Sequence, residues 1–381
     1  MNTRAIATLL VASVILAPHT IAQRSALTGG VQVARAYDAV MDARFAEIPS
    51  LLNETCPPAP AAVCSLLEVA ALWWQIQLDP HNRTHDAAFQ KLADRAVATM
   101  ETWVDDEPRR AEAWFYLGGA LGARAQWRVL RGQMLAAARE GKRVKSSLER
   151  ALALDPNLQD AYFGIGLYHY YAAVAPTAAR MLRWLLLLPG GDREQGLREM
   201  LRARGGGQLL RDEADYQLHL VYLWYEKQPL QALDLLASLS ERHPTNPHFI
   251  QQIAEIQDNY TTDHAASLRT WQRLLERARD GRVAFPEMAA ARAQLGIALE
   301  LYHQSQLEAA IPHLRAVIDS RSQAPVGAEA VAHLQLGYVD DRLGRRDDAI
   351  AAYRAALAVN PVGDPLQLER RARAGLRAPL R

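Results

Sequence analysis

The chain has 381 residues, more than a single compact hydrophobic core usually organises. Hydrophobic residues make up 50% and charged ones 22%, ordinary proportions for a folded globular chain. The 43 basic and 42 acidic residues leave a net charge of +1, which excludes a nucleic-acid coat or a strongly basic membrane binder.

Residues 1–22 read as a secretory signal. Arg4 supplies the positive start, Ala5 to Ala17 is an apolar run too short to span a bilayer, and Pro18 breaks it. Thr20-Ile21-Ala22 offers small residues for a cut before Gln23, and no cysteine follows the cut to carry a lipid anchor. The expected address is therefore the periplasm or the medium, and no transmembrane segment is expected in the mature chain. Residues 23–60 are read as one helix, Val31 to Leu52, followed by a loop with Pro57, Pro58 and Pro60. The only two cysteines, Cys56 and Cys64, bracket that loop; they can bridge in an oxidising compartment or remain as two buried thiols.

From Ala61 onward the apolar residues keep a helical period. Pro80, Pro108, Pro156, Pro244, Pro286, Pro325 and Pro361 fall at or just past the expected helix ends. No stretch alternates with period two, so the mature chain is read as all-α. The clearest pattern is Leu336-Gly337, Gly344, Ala349, Tyr353, Ala356 and Pro361, the spacing of two antiparallel helices with a tight turn and a closing proline. Gly118, Gly166, Gly296 and Gly337 each place glycine inside a helix, which costs about 1 kcal/mol relative to alanine and is tolerated where a partner helix approaches closely.

This pattern resembles the tetratricopeptide repeat, whose unit is about 34 residues long. With it as a guide, six or seven units are expected over residues 61–361, some irregular. Trp114, Leu117 and Gly118 open one that closes at Ala151 and Pro156; Gly118 to Pro156 spans 38 residues against 24 from Gly337 to Pro361, so its helices are expected to be long. Tyr162, Ile165 and Gly166 open the next, stretched by a segment from Pro176 to Pro189. Tyr216, Ala232, Leu236 and Pro244 mark another, and Leu295, Gly296, Ala309 and Ala316 a further one. Ala61 to Pro108 and Phe249 to Arg279 fit as degenerate units. The fold expected is an α-solenoid of antiparallel helix pairs wound into a right-handed superhelix, ending in a basic helix or tail over residues 362–381.

In tetratricopeptide proteins a second stripe on each first helix faces the concave groove, so the resemblance implies a ligand surface there. On this chain the stripe includes Phe115, Phe163, Tyr170, Tyr171, Trp224, Tyr225, Tyr338 and Arg342. Tyrosine and tryptophan suit an interface because they join a large apolar area to a polar tip. The segment Met181 to Leu188, MLRWLLLL, reads either as a buried extra helix or as an exposed docking helix, and Asp192 as the cap of the helix after it.

Catalytic patterns are missing. Gly141-Lys142 fails as a phosphate loop, because Ala136 replaces the first glycine and Arg143 the hydroxyl residue. There is neither a nucleophile elbow nor a zinc-protease pair of histidines. His81 and His85 near Asp79 lie in a proline-bounded turn and read as turn and capping residues. No catalytic residue, metal or cofactor is therefore assigned. The function expected is that of an exported, non-enzymatic scaffold that takes a protein or peptide in its groove. The alternative is a glycan-binding or cell-wall-associated enzyme of the envelope, since stacked aromatics also hold sugars.

Overall fold

The computed structural model describes residues 27–175, 190–320, 323–359 and 367–380. The expected signal, the 181–188 segment and Pro361 lie outside the described residues. Seventeen α-helices are described, with no strand among them. They begin with α1 (Gly30–Met41), α2 (Ile48–Thr55), α3 (Ala61–Leu78) and α4 (Asp86–Asp106). Then come α5 (Ala111–Leu130), α6 (Met134–Leu154), α7 (Ala161–Val174) and α8 (Arg193–Gly206). The middle of the chain forms α9 (Arg211–Trp224), α10 (Pro229–Arg242), α11 (Pro247–Asn259) and α12 (His264–Arg279). The rest is α13 (Pro286–His303), α14 (Leu307–Ser320), α15 (Ala328–Arg342), α16 (Arg346–Ala358) and α17 (Leu368–Arg377). From α3 onward each helix packs on the next, giving stacked antiparallel pairs in an α-solenoid, with α17 laid over the last pair.

The stretched unit is α5 and α6, each about six turns long, where the inserted residues extend both helices. The expected single helix from Val31 to Leu52 is instead two. Asp42 ends α1, Ala43 turns left-handed at φ 57°, and Pro49 opens α2, where a missing N–H costs nothing. Cys56 and Cys64 form a disulfide that ties the end of α2 to the first turns of α3. Asp192 caps α8 by accepting from the Gln195 backbone N–H at 2.8 Å.

The packing glycines show why their positions allow no side chain. A Cβ on Gly118 would lie 2.5 Å from Leu148 Cδ2, and one on Gly337 2.4 Å from the Tyr353 ring. A Cβ on Gly296 would meet the Trp271 ring at 2.3 Å. Gly166 faces Gly196 and Met200, with backbone atoms 2.7 and 2.8 Å from where its Cβ would stand. Ala232, Ala349 and Tyr353 are fully buried. Trp114 is partly buried and donates its indole N–H to the Pro108 carbonyl at 3.0 Å. Tyr353 is clamped from both sides, since Gly375 of α17 stands 2.4 Å from its ring on the same measure.

Long-range bonds close the N-terminal part of the chain back onto its middle. Tyr37 of α1 donates to Glu213 of α9 at 2.9 Å, and the side chain of Asn246 donates to the Met41 carbonyl at 2.7 Å. The Thr245 N–H reaches Asp42 at 2.9 Å. At the end of α3, Asp79 accepts from the Val326 N–H at 3.1 Å, and Arg292 donates to the Leu78 carbonyl at 3.3 Å. Trp74, 1% exposed, sits 4.9 Å from the Tyr216 ring and 5.7 Å from that of Phe249. One apolar core consequently runs from Leu27 to Ile256, across the expected boundary at residue 60. Among the described helices only α3 is long and apolar enough to cross a membrane, and Val63, Val69, Trp74 and Ile76 of its apolar residues are buried in that core.

Candidate functional site

The inner side of the curve holds a concavity of about 1000 Å³. The first helices of successive pairs form much of its wall, α3 with Leu66, Trp73 and Trp74, α5 with Phe115 and Gly119, α7 with Phe163, Leu167 and Tyr171, and α9 with Gln217, Leu220 and Trp224, and the second helix α6 adds Met134, Leu135, Val144 and Leu148. Side chains three, four and seven apart share one helix face, so each helix presents one stripe to its pair partner and another to the hollow.

Five of the residues implied by the resemblance line this hollow: Phe115, Phe163, Tyr171, Trp224 and Tyr225. Phe115 and Phe163 are nearly buried in its wall, whereas Trp224 and Tyr225 at the end of α9 are 47% and 40% exposed. Their exposure marks a rim of uncovered aromatic surface.

Three do not line it. Tyr170 is fully buried, with its hydroxyl on Glu226, because it stands one turn after Gly166 and so shares the face that packs on α8. Tyr338 turns toward the helix pair, its ring 5.9 Å from that of Tyr353. Arg342 lies over the Tyr302 ring at 5.0 Å and donates to Ser305 at 3.1 Å, bridging neighbouring units away from the hollow's lining. A stripe counted from one small residue is displaced wherever the helix rotates to suit its partner.

The polar groups of the hollow are mostly occupied in holding the fold. Asp160 accepts from the backbone N–H groups of Gln208, Leu209 and Leu210 at 2.8, 2.9 and 2.8 Å, which fixes the start of α9. Glu213 is 5% exposed, and burial pushes its carboxyl above the usual range while Tyr37 donates to it. Glu255 accepts from Gln251 at 2.7 Å and Gln252 at 2.9 Å, and burial raises it likewise. His248 is held neutral, its pKa pulled down to about 3 by burial, with the Tyr216 hydroxyl 3.0 Å from its ring nitrogen. The Tyr116 hydroxyl is buried at the wall with no hydrogen-bond partner among the described residues.

Sequence reasoning did not foresee the contribution of α1 and α3. Tyr37, Trp73 and Trp74 help to build the hollow, yet in the sequence they precede the first unit with a clear repeat pattern. The adjacent pair Trp73-Trp74 was the available signal, because two neighbouring large rings on one helix cannot both face the same partner.

No family model matches the chain, and no curated protein matches its sequence. Among solved structures it is similar to a chain of the APC/C hetero-tetramer Cut9–Hcn1, at a TM-score of 0.51 and 14% identity, over 91% of this chain and 55% of that one. The chain thus spans about half the length of that relative. It is also similar to yeast Tom70, at a TM-score of 0.42 and 14% identity over 91% of this chain and 81% of that one. YrrB, a TPR protein with an unusual peptide-binding site, aligns at a TM-score of 0.30 and 15% identity over 72% of this chain and 97% of that one. At such identities the likeness is one of fold.

Proposed function

We propose that this tetratricopeptide-like α-solenoid is an exported scaffold that holds an apolar, extended segment of another protein in its inner hollow. The observation that carries the reading is the hollow itself: about 1000 Å³, walled mainly by the first helices of successive pairs together with α6, and left with Trp224 and Tyr225 uncovered at its rim. Large rings at an open rim supply contact area at little loss of side-chain freedom. The wall is chiefly aliphatic and aromatic, which suits apolar side chains of a peptide better than the hydroxyl-rich face of a sugar.

Binding rather than catalysis is proposed because Asp160, Glu213 and Glu255, the carboxylates that line the hollow, are engaged by fold-holding donors. Export is proposed from the signal-like residues 1–22, and the Cys56–Cys64 disulfide is consistent with an oxidising compartment.

The test is a photo-crosslinking residue at position 224, with the captured segment read by mass spectrometry and then synthesised as a peptide. The peptide is expected to bind the native chain and to bind the Trp224→Ala, Tyr225→Ala double variant at least about tenfold more weakly, a loss of about 1.4 kcal/mol, because Trp and Tyr are the side chains that most often anchor an interface. Both rings are exposed, so the thermal melt should hardly move. Equal affinity for the two proteins would end this reading.

A further inference from the structure

Three helix ends meet on the side of the α11–α13 units. Asp258 stands in the last turn of α11, His264 opens α12, and Glu300 and His303 stand three apart in the last turn of α13. The spacing of three places Glu300 and His303 on one face. His264 Nδ1 lies 3.0 Å from an Asp258 carboxylate oxygen and 3.1 Å from Glu300 Oε2. The His264 and His303 rings are 5.0 Å apart. One ligand atom each from Asp258, His264 and His303 falls within 4.8 Å of the others.

We propose that Asp258, His264 and His303, with Glu300 packed against His264, form a binding site for a single divalent cation of the zinc class, which would clamp the ends of α11, α12 and α13.

The geometry favours an ion over a simple ion pair. A single imidazole N–H cannot point straight at two carboxylates at once, yet both oxygens approach the same ring nitrogen at 3.0 and 3.1 Å. Around a tetrahedral zinc with ligand bonds of about 2.0–2.1 Å, neighbouring ligand atoms stand about 3.3 Å apart, close to the two distances observed. Two imidazoles and a carboxylate are also a donor set that suits a borderline ion. His303 is exposed and Asp258 only partly buried, so both side chains have room to close on it. Glu300, by contrast, is 1% exposed and holds His264 Nδ1 at 3.1 Å from its carboxylate.

The other such group among the described residues, Asp38, Asp212 and His243, marks the contrast. There Arg242 lies 2.7 Å from Asp212 and already supplies the positive charge, holding that carboxyl below its usual value together with His243.

The proposal is tested by titrating the untagged, chelator-stripped full-length protein with zinc chloride, reading heat and thermal midpoint. Saturable one-to-one binding with a dissociation constant on the order of 10 μM or tighter is expected, with a raised midpoint. His303→Ala removes an exposed ligand without disturbing the core, and it should weaken binding about tenfold or more at unchanged helix content. His264→Ala should do the same, and His243→Ala should leave the isotherm unchanged. Absence of saturable binding, survival of the isotherm in His303→Ala, or its loss in His243→Ala would each overturn the proposal. The His303 variant decides the matter even if the His264 variant fails to fold.

Discussion

Glycine decides the closeness of helices at particular points, and the space around each glycine shows how much. Gly337→Leu would drive a side chain into the Tyr353 ring, which stands 2.4 Å from the place of a Cβ and is itself backed by Gly375. Tyr353 cannot retreat, since its hydroxyl also donates to Asp341 at 2.8 Å. Overpacking of this kind costs about 1–3 kcal/mol, and a urea melt should show it as a lowered midpoint. Gly344→Ala is the control: nothing stands within 4 Å, and only the left-handed backbone at φ 75° resists, for about 1 kcal/mol. If the two substitutions cost the same, crowding at the helix crossing is not what selects glycine at 337.

At the scale of elements, the join between α2 and α3 is the one secured covalently. The Cys56–Cys64 bridge closes a short loop, with a sequence separation of 8, and on the chain-entropy model it stabilises the fold by roughly 2–3 kcal/mol. The elements it joins belong to the large core, because Leu51 and Leu52 of α2 and Val63 and Leu67 of α3 are buried together. Reduction, or a Cys56→Ser, Cys64→Ser variant, should therefore lower the midpoint of the main unfolding transition rather than detach a separate N-terminal piece. A first transition that leaves the remaining helical signal unchanged would contradict a shared core. The far end is secured without a covalent bond. Arg346 donates to the Gly375 and Leu376 carbonyls at 2.7 and 3.0 Å, neutralising the end of α17 and holding it over the last pair. The basic C-terminal helix thus serves first as a cap on the stack, as repeat arrays need.

At the scale of the molecule, closure of α1 and α3 onto α9 and α11 separates this solenoid from an open array in which each unit meets only its neighbours. Two histidines sit at that closure. His248 neighbours Trp74 with ring centroids 6.4 Å apart, and His219 is fully buried 4.8 Å from the Tyr216 ring. Burial pulls both pKa values down to about 3, against about 6.5 in an unfolded chain. Each folded-state value lies below the unfolded one, so stability is full above pH 6.5 and is lost as pH falls toward 3, where the unfolded chain binds the extra proton. Between pH 7 and pH 5 each histidine should withdraw about 2 kcal/mol. Glu213 and Glu255, raised by burial, act in the opposite sense, so the measurement is a comparison. A His219→Leu variant should lose about 2 kcal/mol less than the native chain on going from pH 7 to pH 5 in urea melts. Parallel pH profiles for the two proteins would show that His219 does not titrate between them.

Local spacing along the chain carried the helices, their pairing and the close crossings, because period and small-residue position are properties of neighbouring residues. Leu336-Gly337, Tyr353 and the proline-marked ends sufficed for that, and residue charge excluded a nucleic-acid coat. Which face of each helix looks into the hollow was decided only by packing. Tyr170 turned inward with Gly166 onto α8, while Tyr171, one residue on, reached the wall of the cavity. Contacts such as Tyr37 with Glu213, Asp79 with Val326 and His264 with Glu300 join residues 176, 247 and 36 positions apart. No periodicity encodes them, since they depend on how small rotations between successive pairs add up until the chain meets itself.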